Sequence, residues 1–252
     1  MVLRNMPVHI LKRMAFACFA FVAMLLASTP AFAQMDLVGE WANLFHEDQP
    51  ERLGGPDIGD YAGLPINDAA RMAAESWNAD ILSVPEHQCK PHPADYSPRG
   101  PAMLQIWKDV DPVSRQVIAL RTHISWQAPE RWIYMDGRPH PDLARFTPSM
   151  YGHSTGRYEG NALIVETVGL TAGTVQGGGR RRPETRLIER FDLTPDGKRL
   201  TITYTWDDPL IYVRPHSYKY EFERLPEDSY AFETWCDSND PLQKYSIVPP
   251  KQ

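Results

Sequence analysis

The sequence predicts a mainly β protein, an antiparallel barrel with one short helix and a long irregular N-terminal segment. From residue 103 onward, apolar residues alternate with polar ones, as in Leu200 to Trp206, where every second residue is large and apolar. Turn motifs such as Asp136-Gly137 and Pro195-Asp196-Gly197 separate these stretches. The helical periodicity that β-α-β units require is absent, so we expect an up-and-down meander of strands and no parallel sheet.

Composition restricts the class of protein. The chain has 252 residues, 42% hydrophobic and 23% charged, which is ordinary for a globular domain and excludes collagen-like, coiled-coil and wholly disordered chains. The formal net charge is -6, and the only basic run is Arg180-Arg181-Arg182. Because nucleic-acid binding requires an extended basic surface, we expect no nucleic-acid partner.

The first 33 residues have the layout of a cleaved signal peptide. A basic start is followed by an apolar run, Met14 to Leu26, and by the small-x-small site Ala31-Phe32-Ala33. The alternative, a membrane anchor, needs roughly 20 apolar residues, more than this run contains. We therefore expect a periplasmic or secreted protein that begins at Gln34 and does not insert into a membrane after cleavage.

The mature chain divides into an N-terminal region, residues 34–102, packed on a barrel formed by residues 103–252. The first region contains a strand at 37–45, an irregular segment at 46–66, a helix over 68–77 capped by Asn67 or Asp68, and a stiff proline-rich connection at 85–101. Barrel strands are expected near 103–109, 115–126, 131–135, 151–158, 161–168, 184–192, 199–207, 217–224 and 229–236.

Gly39-Glu40-Trp41 in the first strand resembles the Gly-x-Trp motif of lipocalins, in which the Trp packs beneath an Arg from a late strand. Arg224 shares a strand face with Tyr218 and Phe222. It therefore points inward and could contact Trp41 through a cation–π interaction.

A broader resemblance covers most of the mature chain. Five segments resemble a family of largely uncharacterised secreted bacterial proteins with a lipocalin-like (calycin-type) β-barrel pattern: Asp48 to Arg52, Asp60 to Asn67, Cys89 to Pro93, Met135 to Pro141 and Gly152 to Gly160. The resemblance implies a fold and an exported location, and it implies no particular reaction.

Cys89 and Cys236 remain after signal cleavage, and an even pair in an oxidising compartment favours a disulfide. The alternative is a metal site in which His87 and His92 join Cys89. We expect no metal and no other cofactor, because the P-loop, dinucleotide-binding, serine-hydrolase elbow and His-Glu-x-x-His motifs are all absent.

Histidine is the candidate acid–base residue, since it titrates near neutral pH. On the strand at 115–126, Arg121 and His123 alternate with Leu120 and Ile124. If the apolar set packs outward, Arg121, His123 and Ser125 line a cavity. If it faces the core, they are solvated.

His140 lies between two prolines, as His92 does, and these fix its backbone. With Asp136 and Arg138, it could form a turn that holds a carboxylate or phenolate and moves a proton. The alternative is a rigid turn that happens to contain a histidine.

His153 and Tyr151 begin a strand, and Glu166 lies across the following hairpin. A carboxylate beside His153 would raise its pKa and fix its tautomer, as a general base requires. The alternative is a structural hydrogen bond. Tyr134 and Tyr151 are candidate aromatic contacts for a ligand.

Two other features could belong to a site. Glu189 shares a strand face with Leu187 and Phe191, so it is a buried acid if that face points inward. Gly177-Gly178-Gly179 is either a hairpin tip or a lid over the barrel mouth.

These residues suggest a barrel that binds a small apolar or aromatic molecule and transforms it by cofactor-independent acid–base chemistry, as a lyase, isomerase or hydrolase. The candidate catalytic residues are His123, His140, His153 and Glu166, and the candidate ligand contacts are Arg121, Tyr134, Asp136, Arg138 and Tyr151. A non-catalytic ligand-binding protein and an envelope structural protein remain alternatives, and self-association into a homo-oligomer stays open.

Overall fold

The computed structural model describes residues 35–44, 63–76, 93–99, 103–125, 130–174, 180–227 and 229. Its strands are β1 (Gly39–Asn43), β2 (Leu104–Val110), β3 (Val117–Ile124), β4 (Glu130–Tyr134), β5 (His153–Glu159), β6 (Ala162–Val168), β7 (Gly173–Thr174), β8 (Arg180–Arg181), β9 (Arg186–Leu193), β10 (Arg199–Asp207) and β11 (His216–Arg224). Nine of them form a closed barrel in the order β1-β11-β10-β9-β6-β5-β4-β3-β2, while β7 and β8 form a separate two-stranded sheet. The mainly β fold and the barrel predicted from the sequence are confirmed.

The predicted strands agree with the observed ones within a few residues wherever the structure describes them. Alternation was the correct signal: along β10, Leu200, Ile202, Tyr204 and Trp206 are buried inside the barrel. Several predicted features lie outside the described residues: the signal peptide, the segment 46–62, Cys89 and Cys236, the metal alternative with His87 and His92, most of the strand at 229–236, and the tip at Gly177 to Gly179. The strands β7 and β8 that flank this tip pair with each other.

The predicted helix is present as α1 (Asp68–Glu75). Asn67 is its N-cap, because its side-chain oxygen accepts a hydrogen bond from the backbone N–H of Ala70 at 2.9 Å. Ala70 and Ala74 face the protein, and Met72 faces solvent.

The first strand is part of the barrel wall. β1 pairs with β11 on one side and with β2 on the other, so the barrel begins at residue 39, within the region 34–102 that was expected to pack on it. The predicted contact between Arg224 and Trp41 is confirmed: the guanidinium carbon lies 4.3 Å from the centre of the indole ring. Arg224 also donates hydrogen bonds to the backbone carbonyls of Gly197, Val38 and Asp36, at 2.7, 2.5 and 2.6 Å. It ties three chain segments together at this end of the barrel.

One strand pair contradicts the expected all-antiparallel arrangement. β4 and β5 are parallel, and only two residue pairs align, Ile133 with Ser154 and Tyr134 with Thr155. Parallel neighbours cannot be joined by a tight hairpin, so Asp136-Gly137 is not the hairpin turn that its sequence suggested. The chain instead crosses over through residues 135–152 before it enters β5.

Candidate functional site

A buried ion pair crosses the interior of the barrel. Glu189 on β9 is completely buried, so its strand face is the one that points inward, and Arg131 on β4 is its partner. The Nη1 atom of Arg131 donates to Oε1 of Glu189 at 2.8 Å, and Nη2 donates to Oε2. The same guanidinium donates to Ser154 on β5 at 3.0 Å and to Thr167 on β6 at 2.6 Å. Arg131 therefore links β4 to three other strands, next to the ladder between β4 and β5, which has only two aligned residue pairs.

A small cavity lies in the interior beside this ion pair. The cavity beside Arg131 and Glu189 has a volume of about 30 Å³, bordered by Tyr151, Tyr204 and Ile202 among others. A cavity of that size admits about one water-sized group. A ligand with an aromatic ring does not fit inside this cavity.

The predicted catalytic residues lie on the outer face of the wall. His153 and Thr155 on β5 and Glu166 on β6 point outward, and the crossover segment brings His140 above them. The Nδ1 atoms of His140 and His153 are 2.9 Å apart. The other ring nitrogen of His140, Nε2, faces Oγ1 of Thr155 at 3.3 Å and Oε1 of Glu166 at 3.5 Å. Three of the four predicted catalytic residues thus come together.

The pairing differs from the prediction in one respect. Glu166 was expected beside His153, but it contacts His140, because His153 aligns with Val168 across the hairpin and Glu166 aligns with Thr155. Arg186 on β9 also donates two hydrogen bonds to the carboxylate of Glu166. The result is a chain of contacts from His153 through His140 to Glu166 and Arg186.

The roles in this chain follow from the tautomer of His140. If its hydrogen is on Nε2, it faces Oγ1 of Thr155 and the carboxylate of Glu166, which can only accept. In that tautomer, Nδ1 of His140 accepts, and Nδ1 of His153 donates. Nε2 of His153 is left with a lone pair and contacts no polar atom among the described residues. This arrangement suits a general base.

The pKa values of both histidines are lowered, whereas the sequence led us to expect that a carboxylate would raise that of His153. Burial lowers the pKa of His140, an effect that Glu166 opposes and Arg186 reinforces. Burial also lowers the pKa of His153, assisted by His140 and Arg138 and opposed by Asp136. A lowered pKa keeps both rings neutral at pH 7, so the lone pair on His153 is available there.

A groove of about 340 Å³ lies beside His153 on the outer wall. Four of its nine lining residues are large and aromatic, and the other five are small or polar: Trp132, Tyr134, Phe146 and Tyr151, with Glu130, Arg131, Ser149, Gly152 and His153. Tyr134 stacks on His153 with ring centres 5.2 Å apart, and Phe146 meets the same imidazole edge-on at 6.3 Å. The groove follows the line where β4 and β5 separate, and it has the volume of a small-molecule site.

Two glycines allow the crossover segment to take this position. Gly152 has a φ of +62°, and a Cβ there would collide with the carbonyl oxygen of Val168. Gly169 has a φ of +70°, and a Cβ there would collide with the ring of Phe146. Glycine at these positions lets Phe146 pack against Gly169 and lets the backbone at Gly152 pass close to Val168.

Arg121 and His123 do not join this cluster. Leu120 and Ile124 face the core, so Arg121 and His123 point outward, on the side where they were expected to be solvated. Arg121 lies between Trp107 and Trp132, at 5.1 and 4.4 Å from their ring centres, and forms an ion pair with Glu130. His123 aligns with Glu130 on β4 and does not line the groove. Ser125, the third of this set, is buried at the end of the strand.

The turn at Asp136 brings its acid and its cation together. Arg138 donates to the carboxylate of Asp136 at 2.9 Å and lies 3.8 Å above the ring of Tyr134. Tyr134 in turn stacks on His153, so this ion pair lies next to the histidine pair. The role of Asp136 and Arg138 as ligand contacts stays a prediction.

Sequence reasoning missed several residues of the site, chiefly Arg131, Trp132, Phe146, Thr155 and Arg186. The signal for Arg131 was present, because it shares a strand face with Ile133 while Trp132 and Tyr134 occupy the other face. An arginine on a core-facing position implies a buried acid elsewhere, and Glu189 had the matching pattern. Arg186 and Phe146 carried no such signal, since their contacts depend on the path of the crossover segment.

No family model, curated protein or solved structure matches the chain. Among the described residues, no helix is long and apolar enough to cross a membrane. Within the same part of the chain, no group of three or more His, Cys, Asp or Glu side chains is arranged to hold a metal ion. The fold and the site therefore define the protein as a nine-stranded barrel with a histidine pair beside an aromatic groove on its outer wall.

Proposed function

We propose that this protein is a periplasmic, lipocalin-like barrel that binds a small apolar or aromatic molecule in the outer groove and transfers a proton on it through His153. The reaction class is a cofactor-independent lyase, isomerase or hydrolase. The observation that carries the proposal is the unpaired Nε2 of His153, beside an aromatic groove of about 340 Å³. The closed barrel and the contact between Trp41 and Arg224 support the lipocalin-like class.

The histidine pair suits proton transfer because it can hold one additional proton without breaking its internal hydrogen bond. When Nε2 of His153 takes a proton from a ligand, Nδ1 of His153 continues to donate to Nδ1 of His140. The positive charge is then stabilised through His140 by the carboxylate of Glu166. Catalysis by a positioned base of this kind accelerates a reaction by about 10²–10⁴-fold.

Deuterium exchange tests the proposal because it reports the proton transfer itself, whatever the overall reaction. The protein would be incubated in D₂O with acetophenone, phenylacetone and ethyl phenylacetate, whose acidic C–H bonds report proton abstraction in NMR spectra. We expect exchange above background with at least one compound. His153→Gln should reduce it by about 10²–10⁴-fold.

His123→Gln is the matched control, because His123 lies on the same wall outside the groove. It should exchange at the rate of the unaltered protein. Exchange that persists in His153→Gln, or no exchange with any of the three compounds, would contradict the catalytic proposal.

The second candidate is a protein that binds the ligand without transforming it. The aromatic lining favours binding in either case, since stacking on Trp132, Tyr134 and Phe146 needs no chemical step. Saturable binding of an aromatic compound in the groove, together with no exchange, would support this candidate.

A further inference from the structure

The outer groove and the interior cavity meet at two side chains. Arg131 and Tyr151 line both the groove of about 340 Å³ and the cavity of about 30 Å³. They lie where β4 and β5 separate, since the ladder between these strands begins only at Ile133 and Ser154. The groove and the cavity are therefore neighbours on either side of these two side chains.

Both side chains have a hydrogen-bond donor to spare. An arginine carries five N–H donors. Those of Arg131 go to Ser154, Thr167 and both oxygens of Glu189, which leaves one N–H on Nη1 without an acceptor among the described residues. The hydroxyl of Tyr151 likewise makes no hydrogen bond with any residue that the structure describes.

We infer that Arg131 and Tyr151 form an oxygen-binding subsite, and that the ligand is an aromatic compound with a neutral carbonyl group. The inference rests on the proposed ligand groove and adds the chemical class of its occupant. The ring stacks in the groove, and the carbonyl oxygen enters the cavity, where it accepts from Tyr151 and from Nη1 of Arg131.

The charge of the subsite selects a neutral group. The carboxylate of Glu189 already balances Arg131, and its side chain is completely buried. A ligand carboxylate would bring a second negative charge next to Glu189, without a second cation and out of water. A carbonyl oxygen satisfies the donors without this cost, and the cavity volume matches one such atom.

Binding of three matched probes tests the inference. Acetophenone carries the carbonyl, ethylbenzene has a similar shape without an oxygen, and benzoate carries a full negative charge. Dissociation constants would be measured by NMR titration of the ¹⁵N-labelled protein. We expect acetophenone to bind about tenfold more tightly than ethylbenzene, and benzoate to bind more weakly than acetophenone.

Tyr151→Phe should remove most of the tenfold preference and leave ethylbenzene binding unchanged. Its fold should be intact, because the lost hydroxyl makes no hydrogen bond with the described residues. Tyr158→Phe is the matched control, since Tyr158 lies on β5 outside the groove lining, and it should retain the preference.

The outcomes separate the inference from the proposed function. If ethylbenzene and acetophenone bind in the groove equally well, or if Tyr151→Phe keeps the preference, the oxygen subsite is wrong while the groove remains a ligand site. If neither compound binds, the groove itself is not an aromatic ligand site, and both the inference and the proposed function are overturned.

Discussion

Nδ1 of His140 lies 2.9 Å from Nδ1 of His153, so the two imidazoles share a single proton in the space between them. If both rings were fully protonated, two N–H groups would face each other, and the hydrogen bond between the two Nδ1 atoms would be lost. The pair therefore holds at most one positive charge while its geometry is kept. The contact between the two rings therefore depends on their ionisation and on their tautomers.

The tautomers of the pair can be tested by ¹⁵N NMR of the imidazole nitrogens at about pH 7.5. We expect His140 to carry its proton on Nε2, facing Glu166, and His153 to carry its proton on Nδ1. Glu166→Gln should weaken this preference, because an amide can donate as well as accept. A spectrum with the proton of His153 on Nε2 would contradict the assignment of this residue as the base.

The free energy of unfolding should decrease as the pH falls from about 7.5 to 5.5, through the ordinary histidine range near 6.5. Burial lowers the pKa of His140 and of His153 in the folded state, so the unfolded state binds more protons in this window, and acid favours it. The charges facing the pair are those of Glu166, Arg186, Asp136 and Arg138.

Urea denaturation at the two pH values measures this effect. The variant in which both His140 and His153 are replaced by Gln should lose less stability over the same range, because it lacks these two titrating rings. Some loss should remain, because burial also lowers the pKa of His216, which is common to both proteins. An equal loss in the two proteins would show that the pair does not titrate in this window.

Replacing Arg131 with Met should destabilise the barrel by about 3–5 kcal/mol, since it leaves Glu189 buried without its partner. Glu189→Leu alone should have a cost of similar size. The double variant should recover most of the loss, because apolar side chains can replace a buried ion pair with little net change. Denaturant unfolding of the four proteins measures the coupling, and additive losses would argue against it.

Gly152→Ala should destabilise the protein more than Gly160→Ala. Both residues have a positive φ, +62° and +60°, so both substitutions carry the strain of a left-handed alanine, about 1–2 kcal/mol. Only at Gly152 would the added Cβ collide with the backbone, at Val168, whereas nothing lies within 4 Å at Gly160. Equal midpoints in thermal unfolding of the two variants would mean that the crossover segment is free to move away.

The sequence by itself determined the elements of the barrel, and its alternation of apolar and polar residues indicated the inward face of β10, because burial of one strand face depends on a period of two that the strand displays locally. For the strands that carry Glu189 and His123, two orientations stayed open, and burial in the folded barrel decided between them. The sequence also predicted the contact of Arg224 with Trp41 and a helix cap at Asn67 or Asp68, of which Asn67 is the one observed.

Only the tertiary structure decided where the site lies. His140 is 13 residues from His153 in the chain, and their contact depends on the crossover through residues 135–152 and on the parallel pairing of β4 with β5. Local patterns do not encode which strands become neighbours, because that choice is set by the packing of the whole barrel. The same packing left a cavity of about 30 Å³ beside Arg131 and Glu189, and it placed the histidines and the aromatic groove on the outer wall.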